Sequence, residues 1–539
     1  MSQWETKKKA FLEIYRSSFA IVAVSTVIFA CLGHLYRWMS PYFSHDSLMI
    51  DQAVDIAHNI AIGRFLIPLY IYLRGEITAP FLIGVISTLF LVFSNFLIVK
   101  LLGIKDRVCI VLLCGLLTVN ATIILVNATY INFLDSMILA LFLAVAGVYV
   151  CKRFRLGFLG ATLLFAASMG LYQSYMQVAA CLTLLVSLRM AIEGDSLRSV
   201  SAFILKALVA AVVGCLFYYA GTRVAISITG IAESAAYNSV GSLASLSDVN
   251  ILSELQKWYM QPINYLLFPE THAAKLVGFC DLLLIVMFVL GAIWLVRPHR
   301  KNSLDRFIAA LLILILLPLS VSVFNLTMDG GQHGLMIYAF FLIYPAFVMV
   351  LELLICRVKG SVYPTKISFL SDKSLTWIGI VKVVSIIVLA GICVSNIIYA
   401  NQVYLKKDLE GQATLSVMTR VASDMESVEG YIHGETPVII VGNLTENPAF
   451  TGARKGFPPE GLPFNEQLYA TGLGRKVSTT YIKTYAYYFD FVLGCPIKLA
   501  TDDSIVSPIK QSDAVKNMPA FPSDKCCQMI DGVLVVKLS

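Results

Sequence analysis

The chain has 539 residues, of which 58% are hydrophobic and 14% charged, with a formal net charge of +7. Soluble domains carry about 25% charged residues, so a soluble globular enzyme is excluded and a polytopic α-helical membrane protein is expected. The basic excess does not indicate a nucleic-acid partner, because Lys and Arg fall in short runs between apolar segments, as cytoplasmic loops do.

A helix needs about 20 apolar residues to cross the hydrocarbon core. Eleven segments read as spans: 17–36, 79–99, 108–127, 131–150, 156–171, 174–190, 207–228, 276–296, 307–326, 335–356 and 375–399. Segment 156–171 is the shortest of them. Every alternate loop is basic. Lys7–Lys9 and Arg16 precede the first span; Lys100, Lys105 and Arg107 follow the second. Lys152, Arg153 and Arg155, then Arg189, Arg198 and Lys206, then Arg297–Lys301, then Arg357, Lys359, Lys366 and Lys373 continue the pattern. The positive-inside rule puts the N-terminus in the cytoplasm, and eleven spans put the C-terminus outside.

Three pieces then fall on the outer face: 37–78, 229–275 and the tail from 401. The expected organisation is a membrane domain, 1–400, with a first external loop at 37–78, and an external α+β domain, 401–539. "PVIIVGN" at 437–443 and "GVLVVKLS" at 532–539 read as strands of that domain. In the second loop, "LQKWYMQPINYLLFPETH" reads as an amphipathic, aromatic-rich segment, lying flat on the membrane or gating a lipid groove. Of the twelve cysteines, Cys495, Cys526 and Cys527 fall in the tail. An external tail in an oxidising compartment permits a bridge from Cys495 to Cys526 or Cys527. The cysteines have no zinc-ligand spacing.

The first loop concentrates charge. It reads "RWMSPYFSHDSLMIDQAVDIAHNIAIGRFLIPLYIYLRG". Asp51, Asp55 and His58 are four and three apart, which puts them on one face of an expected amphipathic surface helix. Asp46 precedes it, and Arg64 and Arg74 follow. Asp46 is read as a functional carboxylate at the mouth of the first span, against the plainer role of a helix cap. A solvated face is the plain alternative for Asp51, Asp55 and His58, and snorkelling to lipid phosphates for Arg64 and Arg74. A carboxylate base near guanidiniums suits transfer of a group from a phosphate to a hydroxyl. The base takes the hydroxyl proton, and Arg neutralises charge on the departing phosphate.

"YFSHDSL", then "IAIGRFLIPLYIYLRGEITAP", then "MGLYQSYMQ" at 169–177, and the ending "MPAFPSDKCCQMIDGVLVVKLS" resemble the serotype-converting O-antigen glucosyltransferases of enteric bacteria and their phages, the type II glucosyltransferase family. These proteins resemble the GT-C superfamily. The resemblance implies an inner-membrane enzyme that transfers glucose with inversion. The donor it implies is undecaprenyl-phosphate glucose, and the acceptor is a sugar hydroxyl of lipid-linked O-antigen. It also implies a catalytic acid in the first loop, which maps onto Asp46, with Asp51 next in line. No cofactor is expected, and the use of a divalent metal stays open.

Further candidates for substrate contact lie at the other loop-side junctions. Tyr130 and Asp135 flank the start of the fourth span, where Asp135 needs a partner inside the apolar run. Tyr172, Gln173 and Gln177 sit at the 171–177 turn; the aromatics also suit an interfacial belt. Arg223 lies near the outer end of the seventh span and needs an anion, either Asp135 or a lipid phosphate. Asp329 and His333 flank a Gly-Gly-Gln turn. A flippase or transporter remains the alternative class, for which related halves with interrupted helices are expected and none is seen. A transferase of another lipid-linked sugar is the nearer alternative.

Overall fold

The computed structural model of the protein describes residues 3–40, 42–44, 47–48, 50–51, 54–232, 251–297, 304–323, 333–358, 377–444, 447 and 482–539. Up to the tail the helices are α1 Gln3–Met39, α2 Ile56–Ala61, α3 Ile67–Arg74, α4 Pro80–Leu101, α5 Arg107–Thr118, α6 Ala121–Thr129, α7 Leu134–Arg153, α8 Gly157–Leu171, α9 Met176–Glu193, α10 Leu197–Thr229, α11 Ile251–Leu267, α12 Ala274–Val296, α13 Leu304–Ser320, α14 Ile343–Val358 and α15 Trp377–Glu426.

Over its described residues, each expected apolar segment is mainly helical. Among the described residues, eight helices are long and apolar enough to cross a membrane. α5 and α6, bent by 40° at a short break, make a ninth if the pair is counted as one span. The bend has a local cause. The Asn120 side chain accepts from Ile123 N and donates to Leu116 O and Leu117 O, so it ends one helix and caps the next. α8 has only 15 residues and α13 only 17, so these two expected spans are short helices in the described structure. The protein is a multi-pass helical membrane protein with eight or nine candidate spans.

In the bundle α7 packs on α4 and α8, α10 on α8, and α1 on α4 and α5. At the ends bearing the basic residues, a buried polar knot ties three helices. Lys382 on α15 pairs with Asp106, the N-cap of α5, and Glu352 on α14 accepts from the backbone N–H groups of Lys105 and Asp106. Each ion there has a partner or backbone donors, as burial demands.

α15 runs unbroken from the bundle into the tail. There its Val417, Met418, Val421 and Met425 lie under a small sheet. The sheet has strands β1 Pro437–Val441, β2 Lys498–Leu499, β3 Cys527–Ile530 and β4 Val533–Lys537, in the order β2-β1-β4-β3. β1 is parallel to both neighbours, and β3 and β4 form an antiparallel hairpin. Alternation sets the two faces. Val438, Ile440, Leu534 and Val536 meet α15, while Ile439, Val533 and Val535 meet Val506, Ile509 and Val515. The two strands expected from sequence are β1 and β4.

Two expectations are corrected. The first loop does not carry a long amphipathic helix with Asp51, Asp55 and His58 on one face. α2 spans six residues, because Asp55 caps it by accepting from His58 N, and Asp51 lies before it in a bend. Tertiary contacts hold the preceding residues out of a helix: Leu48 is buried in the tail core, and Ile50 O accepts from Thr78 N. The tail disulfide is also absent. Cys495, Cys526 and Cys527 are free thiols packed in one core, with the Cys526 and Cys527 sulfurs 3.7 Å apart and Cys526 donating to Asp424 Oδ2. All three cysteines should therefore take up a maleimide when the protein is unfolded without reductant. A disulfide-linked tail peptide in mass spectrometry would contradict this.

Candidate active site

The first loop, the α6–α7 junction, the α8–α9 turn and the tail converge on one end of the bundle. The loop begins at Arg37, whose side chain is completely buried. Its Nε donates to Asn127 O and its Nη1 to Ser40 O, while Nη2 has no partner among the described residues. The guanidinium lies 3.9 Å from the Tyr42 ring centroid, a cation–π contact that helps to compensate for lost water. Beside it, Trp38 Nε1 donates to Asn127 Oδ1. Burial and the neighbouring acids push the Tyr42 phenol up, against the pull of Arg37, so it is neutral and a hydrogen-bond donor.

The loop is then tied on both sides of positions 45–46. Ser44 Oγ donates to Thr129 O at the end of α6. Ser47 N donates to Ser44 O at 3.0 Å, and Ser44 N donates to Ser47 Oγ at 2.8 Å. Leu48 follows, fully buried among Val417, Met418 and Tyr485 of the tail. Asp46, the expected catalytic residue, lies outside the described residues, as does Asp329. Asp51 and Asp55 are exposed, and both act on the Tyr487 phenol of the tail, which burial chiefly pushes up. His58 is also exposed.

A second group forms where the loop turns into α3. Gln173 Nε2 donates to Ile62 O and to the Tyr218 hydroxyl, both at 2.9 Å. Gly63, at φ +82°, sits against that hydroxyl, where any Cβ would collide with it. Leu66 N donates to Gly170 O. The Arg64 guanidinium lies 4.8 Å from the Tyr172 ring centroid, half-buried. Tyr172 meets Tyr175, which meets Tyr338 edge-on. Gln177 is fully buried in the first turn of α9. The structure therefore gathers Arg64, Tyr172 and Gln173 as one patch.

Arg74 does not face lipid. Its side chain is 2% exposed and pairs with Asp135, itself fully buried, at 3.0 and 3.3 Å. Arg74 also donates to Asn132 O and Ile77 O. Asp135 accepts further from Ser136 N and from the Tyr70 hydroxyl. Tyr130 lies one turn before, half-buried at the C-cap of α6. Arg223 is not the partner of Asp135; it is exposed and donates to the Tyr219 hydroxyl at 2.9 Å. His333 caps the turn at Gly334–Met336, and Gly334 O accepts from Thr122. Burial pushes the His333 imidazole down, so at neutral pH it is uncharged and can offer a phosphate one N–H.

Several polar residues of this region carried no signal as sequence. Arg37 looked like an ordinary flank of the first span. Lys406, Lys407 and Glu410 are buried on α15, where a helix already outside the apolar run is expected to be solvated. Glu270, between α11 and α12, is pushed up to about 9 by burial and so is protonated at neutral pH. Among the described residues, no group of three or more His, Cys, Asp or Glu is placed to hold a metal ion.

A family model described as Glucosyl transferase GtrII matches residues 35–355, more than half of the chain. The chain belongs to that glucosyltransferase family. It is therefore an enzyme, and a multi-pass one. No curated protein and no solved structure matches it. The matched stretch begins two residues before Arg37 and takes in the first loop, Arg64, Arg74, Asp135, the α8–α9 turn, Arg223 and His333.

The buried Arg74–Asp135 pair should matter to folding more than to chemistry. Removing one member strands the other charge, so Arg74→Ala should lower stability by about 3–5 kcal/mol. Arg74→Leu combined with Asp135→Leu should recover much of that loss. Thermal unfolding in detergent decides it; equal losses in the single and double variants would contradict the pairing.

Proposed function

We propose that the protein transfers glucose from undecaprenyl-phosphate glucose to a sugar hydroxyl of lipid-linked O-antigen. The transfer inverts the anomeric centre and takes place on the periplasmic face of the bacterial inner membrane, with the N-terminus cytoplasmic and the tail periplasmic. Membership of the GtrII family carries the reading. The alternating basic helix ends support the orientation. Residues 1–400 form the membrane part that holds the site, and 401–539 the periplasmic part.

Asp46 is the general base. The acceptor oxygen forms a bond to the anomeric carbon, the bond from that carbon to the phosphate oxygen breaks, and its electron pair leaves with the phosphate. The hydroxyl proton passes to the Asp46 carboxylate. Its neighbours in sequence support the assignment: Ser44 and Ser47 are buried and hydrogen-bonded, and fixed placement is where much of a catalyst's advantage lies. Arg64 neutralises the donor phosphate, held in its patch by Tyr172 and supported by Gln173. Gln177 and Tyr130 line the same end, and His333 adds an N–H.

The polyprenyl chain needs an apolar berth. One is available under α11, where Pro262, Ile263 and Leu266 face Leu185, Phe288 and Phe340 across a pocket whose described lining side chains are apolar. Segment α11 is amphipathic, as expected, with Tyr265 and Leu266 buried, which suits a cover over that berth.

Asp46→Asn keeps shape and removes the base, so glucose transfer should fall by about 10²–10⁴ with the melting temperature in detergent unchanged. Arg64→Ala should also lose transfer while remaining folded. Near-normal transfer by Asp46→Asn would move the base to Asp51; near-normal transfer by Arg64→Ala would make Arg64 a lipid contact.

A further inference from the structure

A pocket lies between the first loop, α15 and the tail. Tyr42 and Phe43 of the loop form one wall. Asp408, Gly411 and Gln412 of α15 form another, and Tyr488 of the tail a third. The pocket also contains Leu48, so its loop wall flanks positions 44–47 on both sides. No Lys or Arg is among its described lining residues.

The lining has a specific chemistry. Aromatic rings present flat apolar faces, and Asp408 and Gln412 present a carboxylate and an amide that together accept and donate several hydrogen bonds. The Asp408 carboxylate is already oriented, since its Oδ2 accepts from the Tyr36 hydroxyl at 2.7 Å. Among the described residues the buried Tyr42 hydroxyl has no partner, a state that is costly unless something supplies one. The Arg37 guanidinium, packed on the Tyr42 ring, acts on the Asp408 carboxylate, but no described lining residue offers a phosphate a cation. The pocket suits a neutral molecule with hydroxyl groups on one side and C–H faces on the other.

We propose that this pocket is the acceptor subsite, which holds a neutral saccharide residue of the acceptor next to the catalytic turn. The proposal rests on the reading that the acceptor is a sugar, and it assigns that sugar to the tail side of the loop, away from the Arg64 patch. The tail thereby belongs to the site. Gly411 keeps the pocket open: a Cβ at 411 would come within 3.1 Å of Tyr42 Cβ, and a larger side chain would displace the ring.

The test uses the full-length protein in nanodiscs. The acceptor probe is O-antigen oligosaccharide released from cells that lack this protein, and undecaprenyl-phosphate glucose is the donor. Gln412 is exposed on a helix, so Gln412→Ala keeps the fold. It should raise the acceptor KM about fivefold, the worth of a hydrogen bond or two, and leave the donor KM and the kcat at saturating acceptor unmoved. Gly411→Leu should raise the acceptor KM further. Saturation-transfer NMR without donor should show the same loss of oligosaccharide binding. Wild-type acceptor KM and binding in both variants would overturn the pocket alone. A wild-type protein that neither binds the oligosaccharide nor glucosylates it would overturn the functional reading and the pocket with it.

Discussion

The arrangement of this end of the molecule depends on how the first loop is tied between two bodies. Ser44 donates to the last carbonyl of α6, and four residues later Leu48 is buried in the core of the tail. Moving Ser44 away from the bundle breaks its contact with Thr129, and moving Leu48 away from the tail pulls a leucine out of an apolar core. Burying a leucine contributes about 1.5–3 kcal/mol, and the buried serine hydroxyls would cost free energy if left unpaired. Because α15 runs unbroken from the bundle into the tail, the tail is held in place to receive Leu48. The long helix and the loop tie are two parts of one device.

Cations at this end are sorted by environment. Arg74 is neutralised by Asp135 and donates to two backbone carbonyls, which makes it a strut between α3 and α7. Arg37 is buried on carbonyls and an aromatic face, close to the turn. Arg64 is half-buried on Tyr172, with Gln173 and Tyr218 fixing the backbone beneath it. Of the three, Arg64 combines partial exposure with a supported backbone. That combination suits a group that must meet a ligand and return.

How much of this was legible in the sequence follows from the kind of signal each feature leaves. Apolar runs of span length are long-range averages, and they located α1, α4 to α10 and α12 to α15, although α8 and α13 proved short; the shorter α2, α3 and α11 lie outside them. The strands at 437–441 and 533–537 were legible because Val and Ile crowd them between turn residues. The Asp51–Asp55–His58 helix failed because spacing alone carries no information about Leu48 and the Ile50–Thr78 contact, which draw the chain out of helical form. Asp135 announced its need of a partner, yet the choice between Arg223 and Arg74 is a matter of packing, and packing chose Arg74. Arg37 and the buried charges of α15 left no signal, since a basic residue after a span normally meets water.

The central claim is that this fold adds glucose to a sugar chain, and product analysis reaches it most directly. O-antigen should be isolated from host cells with and without the protein and examined by mass spectrometry and NMR. The account predicts one added hexose per modified repeat, identified as glucose and joined to a single hydroxyl, only when the protein is present. O-antigen that is identical in the two preparations, or that carries a sugar other than glucose, would contradict it.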